Sequence, residues 1–376
     1  MCIITHHSFD EINQIRSYWV EHQNHPNSDL EHFTYVCENR KPVINPFVIS
    51  IWDDNTPVCL LVGRLELQRS RPRIGYLKIG AFTTRTITFI TGGIIGNVPK
   101  GSIKDLQTKL KDLLRSESID RITFTNLRES NPLWNLSPGY THKDGIWSTH
   151  RLLALNTNPD QILLSMKKKH RYNIRRSERA LAENYSNNIE WIWHTSFSSL
   201  KIFLSEIEDV AKETYQRGLG SGFIYNEENK ERYRIFAERG ILRGLVLKVN
   251  GSPQAFWIGQ VYNKTFHSDA TGYKAQVQQY GVGTSLLMRL TDNLIEEGVQ
   301  YIDYGLGDGD YKQRFSTESF TESNLELFAP TIKGQTARLL IKGADYIHRK
   351  LTTIIHENGA TNKIRTYWRR QFRNIR

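Results

Sequence analysis

Cysteine is scarce in this chain: Cys2, Cys37 and Cys59 are the only three among 376 residues, and none belongs to a C-x-x-C pair. An odd number at such spacing argues against a disulfide framework and against a structural zinc site, and fits a reducing compartment. A long uninterrupted apolar run is also missing. The most apolar stretch, 76–98, carries Lys78, Arg85, several threonines and paired glycines, which suits no bilayer span. The first ten residues lack a basic segment followed by an apolar one, so no signal peptide is expected and the reading is cytoplasmic. G-x-x-x-x-G-K-[ST], G-x-G-x-x-G and G-x-S-x-G are all absent, which removes the P-loop, the dinucleotide fingerprint and the nucleophile elbow.

What is present is the composition of a soluble globular protein, 39% hydrophobic and 24% charged, in a chain long enough for two domains. The net charge of +11 is concentrated in 167–179 and 363–376 and calls for an anionic partner. In the tail, Ile364, Trp368, Phe372 and Ile375 share one helical face among six basic residues. That pattern suits either an anionic membrane surface, at the inner face of the membrane, or a terminal helix docked on its own domain.

Two segments 196 residues apart resemble each other. Residues 51–63 and 247–259 each read as strand, polar turn, strand, with Pro57 and Pro253 just beyond the turn. Similar elements follow both. Strand 86–91, a glycine-bearing loop, helix 103–114 and strand 121–125 follow the first; strand 264–271, a loop, helix 284–297 and strand 299–304 follow the second. Two copies of one mixed α/β unit is the economical reading, over 1–152 and 153–330 with a helical basic tail over 331–376. Further helices are expected over 160–183, with Arg171, Arg175 and Arg179 along one side, and over 200–217.

The most informative string runs from Gln278 to Leu287. It holds Q-x-x-G-x-G at Gln278, Gly281 and Gly283, after a strand and directly before a helix. Bare glycine backbone at a helix start lets N–H groups approach an anion such as a pyrophosphate. A glycine-rich turn without a ligand is the plainer alternative. A second string, 301–315, is a strand ending in Asp303, a glycine-rich turn, then Tyr311 and Lys312. His267 and Asp269 alternate along the strand between the hairpin and the first string, which predicts that both point to one face. They are candidates to orient or deprotonate an acceptor, or a buried structural pair. No third ligand stands at a supporting spacing, so no metal site is expected.

The first string resembles the coenzyme A pyrophosphate loop of the GNAT acetyltransferases, R/Q-x-x-G-x-G/A. Together with the second string and the basic segment 166–179, the chain resembles GNAT-like proteins of the CelD/BcsL type, relatives of the Fem peptidyltransferases (the FemAB superfamily). The resemblance implies a mixed α/β fold of tandem GNAT-like units with mixed, largely antiparallel sheets, which agrees with the internal repeat. It implies acetyl-CoA as acyl donor, held at Gln278, Tyr280, Gly281, Val282, Gly283 and Thr284. It also implies that Tyr311 and Lys312 match the aromatic–lysine pair lying near the reacting acyl group in the Fem enzymes. The first half, with Gly92, Gly93 and Gly96 but no Q-x-x-G-x-G, is expected to carry a degenerate loop.

The expected reaction is attack of an amine or hydroxyl on an activated acyl carbon. Lys312 is the candidate oxyanion donor, Asp303 and Asp269 the candidate carboxylates, and His267 the candidate imidazole. Arg171, Arg175, Arg179 and Tyr311 are the candidates to hold an anionic acceptor, a nucleotide sugar or envelope precursor. No DNA partner is expected. Two rivals stay open: an aminoacyl-tRNA-dependent peptidyltransferase, disfavoured by the lack of a long arm for tRNA, and a non-catalytic envelope-assembly or membrane-surface protein.

Overall fold

The fold was obtained as a computed structural model that describes residues 1–71, 73–74, 77–78, 81–116, 118–136, 141–142, 146–155, 168–185, 188–214, 217, 222–307 and 309–357. The chain divides into two compact units, one made of Met1–Thr149 and Phe320–Thr361, the other containing His150–Ser319. The basic tail 363–376 and the first turns of the expected helix over 160–183 lie outside the described residues.

In the first unit the strands follow the order Cys2–His6, Val43–Asp53, Thr56–Ser70, Phe82–Gly96, Arg121–Arg128 and Glu318–Phe328. All neighbours are antiparallel except Phe82–Gly96 and Arg121–Arg128, which run parallel because the helix Ile103–Ser116 carries the chain back between them. The central strands are apolar on both faces because both are covered. Phe47, Ile49, Cys59 and Leu61 meet Leu106 and Leu110 of that helix, while Val48, Leu60 and Val62 meet Trp19 and Phe33 from the opening helices. The last strand was expected in the second unit; its pairing with Arg121–Arg128 assigns it to the first.

The second unit repeats the scheme. Its order is Ile189–His194, Leu242–Val249, Ser252–Tyr262, Thr265–Tyr273, Tyr301–Asp303 and Ser148–Ala154. Again one neighbouring pair is parallel, Thr265–Tyr273 with Tyr301–Asp303, joined through the helix Val282–Glu296. Leu286, Leu287, Leu290 and Leu294 of that helix pack on Trp257, Phe266 and Ile302. The helix expected over 200–217 is observed as Leu200–Ala211.

The two hairpins agree to the residue. Asp54 (φ 51°) turns the first; Asn250 (φ 51°) and Gly251 (φ 73°) turn the second. In both, the register slips opposite the same aligned position: Ile51 pairs with Cys59 and Trp52 with Pro57, as Leu247 pairs with Ala255 and Lys248 with Pro253. The extra residues, Val58 and Gln254, are matching bulges. Their carbonyls take equivalent loads, Val58 O from Tyr18 Oη at 2.8 Å and Gln254 O from Lys274 N at 2.8 Å. The glycines that looked like a loop in the first half sit inside the strand Phe82–Gly96 instead. A Cβ at Gly92 would stand 2.2 Å from the His25 ring, and one at Gly96 would stand 2.4 Å from Val58 O, so close packing requires them.

Candidate functional site

The parallel strands of the second unit pair over only three steps, Thr265 with Tyr301, Phe266 with Ile302 and His267 with Asp303. Beyond that step the strand Tyr301–Asp303 ends, and its neighbour slips register against Ser252–Tyr262, with Ser268 opposite Gly259 but Ala270 opposite Ile258. Asp269 is therefore the extra residue of a bulge, and the simple alternation expected for His267 and Asp269 is broken. Each is committed to different partners. Arg232 Nη2 donates to Asp269 Oδ1 at 2.8 Å and Gln260 Nε2 to the same oxygen at 3.3 Å, whereas His267 Nδ1 lies 3.5 Å from Asp303 Oδ2. Asp269 anchors the helix Glu227–Glu238 to the sheet through Arg232.

Asp303 is the centre of this side-chain cluster. Its Oδ1 lies 2.6 Å from Nε2 of the buried His150 and accepts the Gly305 N–H at 2.7 Å, so it bridges two imidazoles and the start of the glycine turn. Burial by itself would push its carboxyl up, but the hydrogen bonds and charges of His150 and His267 outweigh burial and hold it well below the usual carboxylate range. It stays ionised. His150, on the strand Ser148–Ala154, was not singled out from sequence; it stands 153 residues from Asp303, and only the pairing of Leu152 with Asp303 brings them together.

The turn after Asp303 is clamped from the other side. Gly305 (φ 67°) and Gly307 (φ 85°) supply left-handed backbone, and the buried Lys312 donates its Nζ to Gly305 O at 3.0 Å and Leu306 O at 2.7 Å. Lys312 thus shapes the turn directly. Tyr311, on the same short helix Asp310–Phe315, packs edge-on against Trp257 and Tyr304, with ring centroids 6.1 Å and 5.8 Å away. The Tyr304 hydroxyl is buried without a hydrogen-bond partner, and burial pushes its phenol well above the usual range. A buried donor in that condition costs about 1–3 kcal/mol unless something accepts from it.

The glycine string forms the 3-10 turn Ala275–Tyr280 and then the helix Val282–Glu296, which opens on Gly281 in the left-handed conformation (φ 60°) with no side-chain cap. The Gly281 N–H turns in to Gln278 O at 3.1 Å, and Thr284 N–H bonds Gly281 O at 2.9 Å. Gly281 and Gln278 are exposed, Tyr280, Gly283 and Thr284 half-buried, and Val282 is buried in the core. A Cβ at Gly281 would stand 3.6 Å from Ser177 and one at Gly283 3.3 Å from the Tyr273 ring, so the helix Lys168–Asn184 flanks the loop. At about 100° per residue, Arg175 and Arg179 stand roughly 160° around that helix from Ser177. Both are exposed; Arg171 is half-buried. The structure brings His267, Asp303, Tyr311 and Lys312 together; Asp269 is bonded to Arg232 and Gln260 instead, and Arg175 and Arg179 are exposed on a side of their helix turned away from Ser177.

Among the described residues, no group of His, Cys, Asp and Glu could hold a metal ion. No helix among them is long and apolar enough to cross a membrane.

Residues 168–313 match the acetyltransferase (GNAT) domain family. No curated protein sequence matches the chain. Among solved structures, FemX is similar over 91% of this chain and 100% of its own, at 12% identity and a TM-score of 0.58. The C-terminal domain of a putative lysylphosphatidylglycerol synthetase from Agrobacterium fabrum is similar over 89% and 98%, at 12% identity and 0.51. L-PGS from Bacillus licheniformis is similar over 89% and 96%, at 13% identity and 0.50. At such identities the likeness is one of fold.

Proposed function

We propose that the second unit transfers an acyl group from a coenzyme A thioester, with acetyl-CoA the expected donor, to an amine or hydroxyl on an anionic cell-envelope or polysaccharide precursor. The observation that carries this reading is the uncapped, glycine-opened helix Val282–Glu296, which follows a strand whose parallel neighbour parts from it beyond His267 and Asp303. Helix-start amides carry partial positive charge and suit a diphosphate. The match of residues 168–313 to the GNAT family supports the same reading.

In this mechanism the ionised Asp303 orients His267, whose imidazole takes the proton of the attacking amine or hydroxyl as the bond to the acyl carbon forms; the thioester C–S bond then breaks, and the imidazolium returns that proton to the departing coenzyme A thiolate. Lys312 holds the Gly305–Gly307 turn in place, and Tyr311, Trp257 and Tyr304 form the apolar wall beside it. Arg175 and Arg179, exposed on the outer face of their helix, are offered to the negative charge of the acceptor.

Calorimetry with acetyl-CoA tests the donor. The wild type is expected to give saturable heat at sub-millimolar ligand, Gly283→Asp to bind at least about tenfold more weakly through repulsion of the diphosphate, and Gly283→Ala to control for crowding against Tyr273. No heat from the wild type at about millimolar ligand overturns the reading. One observation favours an aminoacyl donor instead: the Gly281 and Thr284 amides are already bonded within the protein, and the fold is shared with FemX. That donor predicts tRNA binding that weakens steeply with salt.

A further inference from the structure

The helix Ile332–Glu357 of the first unit has two apolar sides. Its own Gly334, Ala337 and Ala344 are buried, and a Cβ at Gly334 would stand 2.6 Å from Ala329 O, so this side is packed closely. The adjoining side is also apolar but faces outward. Ile332 is 89% exposed and Leu339 71%, and Leu340, Tyr346 and Ile347 are exposed with them. At about 100° per residue these five fall within an arc of roughly 120°, whose centre stands about 110° around the helix from Ala337 and Ala344. Isolated exposed apolar residues need no explanation, but five on one stripe of one helix do. Lys350 lies over the Tyr346 ring at 5.9 Å, the posture of a long cation whose stem follows an apolar surface.

Charge says what would cover the stripe. Residues 332–376 contain eleven Lys and Arg against two acidic residues, Asp345 and Glu357, which accounts for most of the whole chain's net +11. A second copy of the chain would bring that same positive charge against itself. An anionic lipid surface complements it and takes up the apolar stripe at once.

We propose that the outer face of the helix Ile332–Glu357, between Ile332 and Ile347, lies on an anionic membrane with its apolar stripe in the headgroup boundary. The basic residues of 332–376 draw it there, and Leu339, Leu340, Tyr346 and Ile347 hold it. This stands apart from the acyl donor, since the apolar stripe lies on the first unit.

Vesicle co-sedimentation of the full chain tests it, with phosphatidylcholine alone and with about 30% phosphatidylglycerol added. The wild type is expected to favour the anionic vesicles at least tenfold. The exposed double variant Leu339→Glu/Ile347→Glu should lose at least tenfold in binding with an unchanged melting curve, and about 0.5 M salt should weaken wild-type binding without abolishing it. Binding by the double variant equal to wild type means that charge in the tail acts alone, and overturns the proposal. So does a wild type that ignores vesicles but forms dimers which the double variant separates in light scattering.

Discussion

The two units share a scaffold and differ at one step of it. Both carry the bulged hairpin, and both place a glycine, Gly63 or Gly259, where the next strand slips register. Directly beside that glycine, Arg64 pairs with Thr88 as Gln260 pairs with His267. Across the parallel step, Thr88 faces Thr123 where His267 faces Asp303. The first unit thus has two hydroxyls where the second has an imidazole and an ionised carboxylate. Thr88 spends its hydroxyl on Glu66 Oε1 at 2.7 Å. The scaffold geometry is thus common to both units, and only the second carries titratable side chains at this register step.

The greatest loss falls on that register step. Asp303→Asn should lower acyl-transfer kcat by about 10²- to 10³-fold, while Thr123→Val in the first unit should change it less than about twofold, as read by release of free coenzyme A thiol. Equal losses would mean that the register step is structural in both units. Next in size, Gly63→Ala and Gly259→Ala should each destabilise by about 3 kcal/mol in denaturant titration, because a Cβ would meet Thr88 O at 2.7 Å in one case and His267 O at 2.2 Å in the other. Here the units should behave alike, with Gly259→Ala the worse.

A smaller, pH-dependent difference separates them again. The carboxyl of Asp303 is held below its unfolded value, so its contribution to stability is complete above about pH 4 and disappears as the pH falls further. Asp303→Asn should therefore cost about 2 kcal/mol at pH 7 and progressively less in acid, while the cost of Thr123→Val stays flat with pH in parallel denaturant titrations. Smallest of all, Asn250→Ala and Asp54→Ala should each cost about 1 kcal/mol, since both place an ordinary residue at positive φ in a turn that favours Asn or Asp.

Local features of the fold were legible in the sequence. The two hairpins with Pro57 and Pro253, the helix ending near Gly298 and the glycine string before it all announce themselves within a dozen residues, where turn chemistry and helical spacing operate. The mixed α/β class followed from their order. The site was legible only in part. Tyr311, Lys312, Asp303 and His267 stand out as candidates because strings flank them, but His150 reaches Asp303 through a strand pairing that no local pattern encodes. Asp269 misled because alternation assumes an unbroken strand, and a single inserted residue at the bulge cancels it. Lys312 reads as a free cation in sequence, yet it folds back on two carbonyls six and seven residues away.

The strand Glu318–Phe328 belongs to the first unit yet is encoded after the second. A ribosome that has made the first three hundred residues has therefore finished the amino-terminal sheet except for one margin, with Arg121–Arg128 still lacking its neighbour on that side. An open margin of this kind recruits foreign strands. The nascent protein must protect it for the whole time the second unit is being synthesised, so chains cut short before Glu318 should be the ones that aggregate.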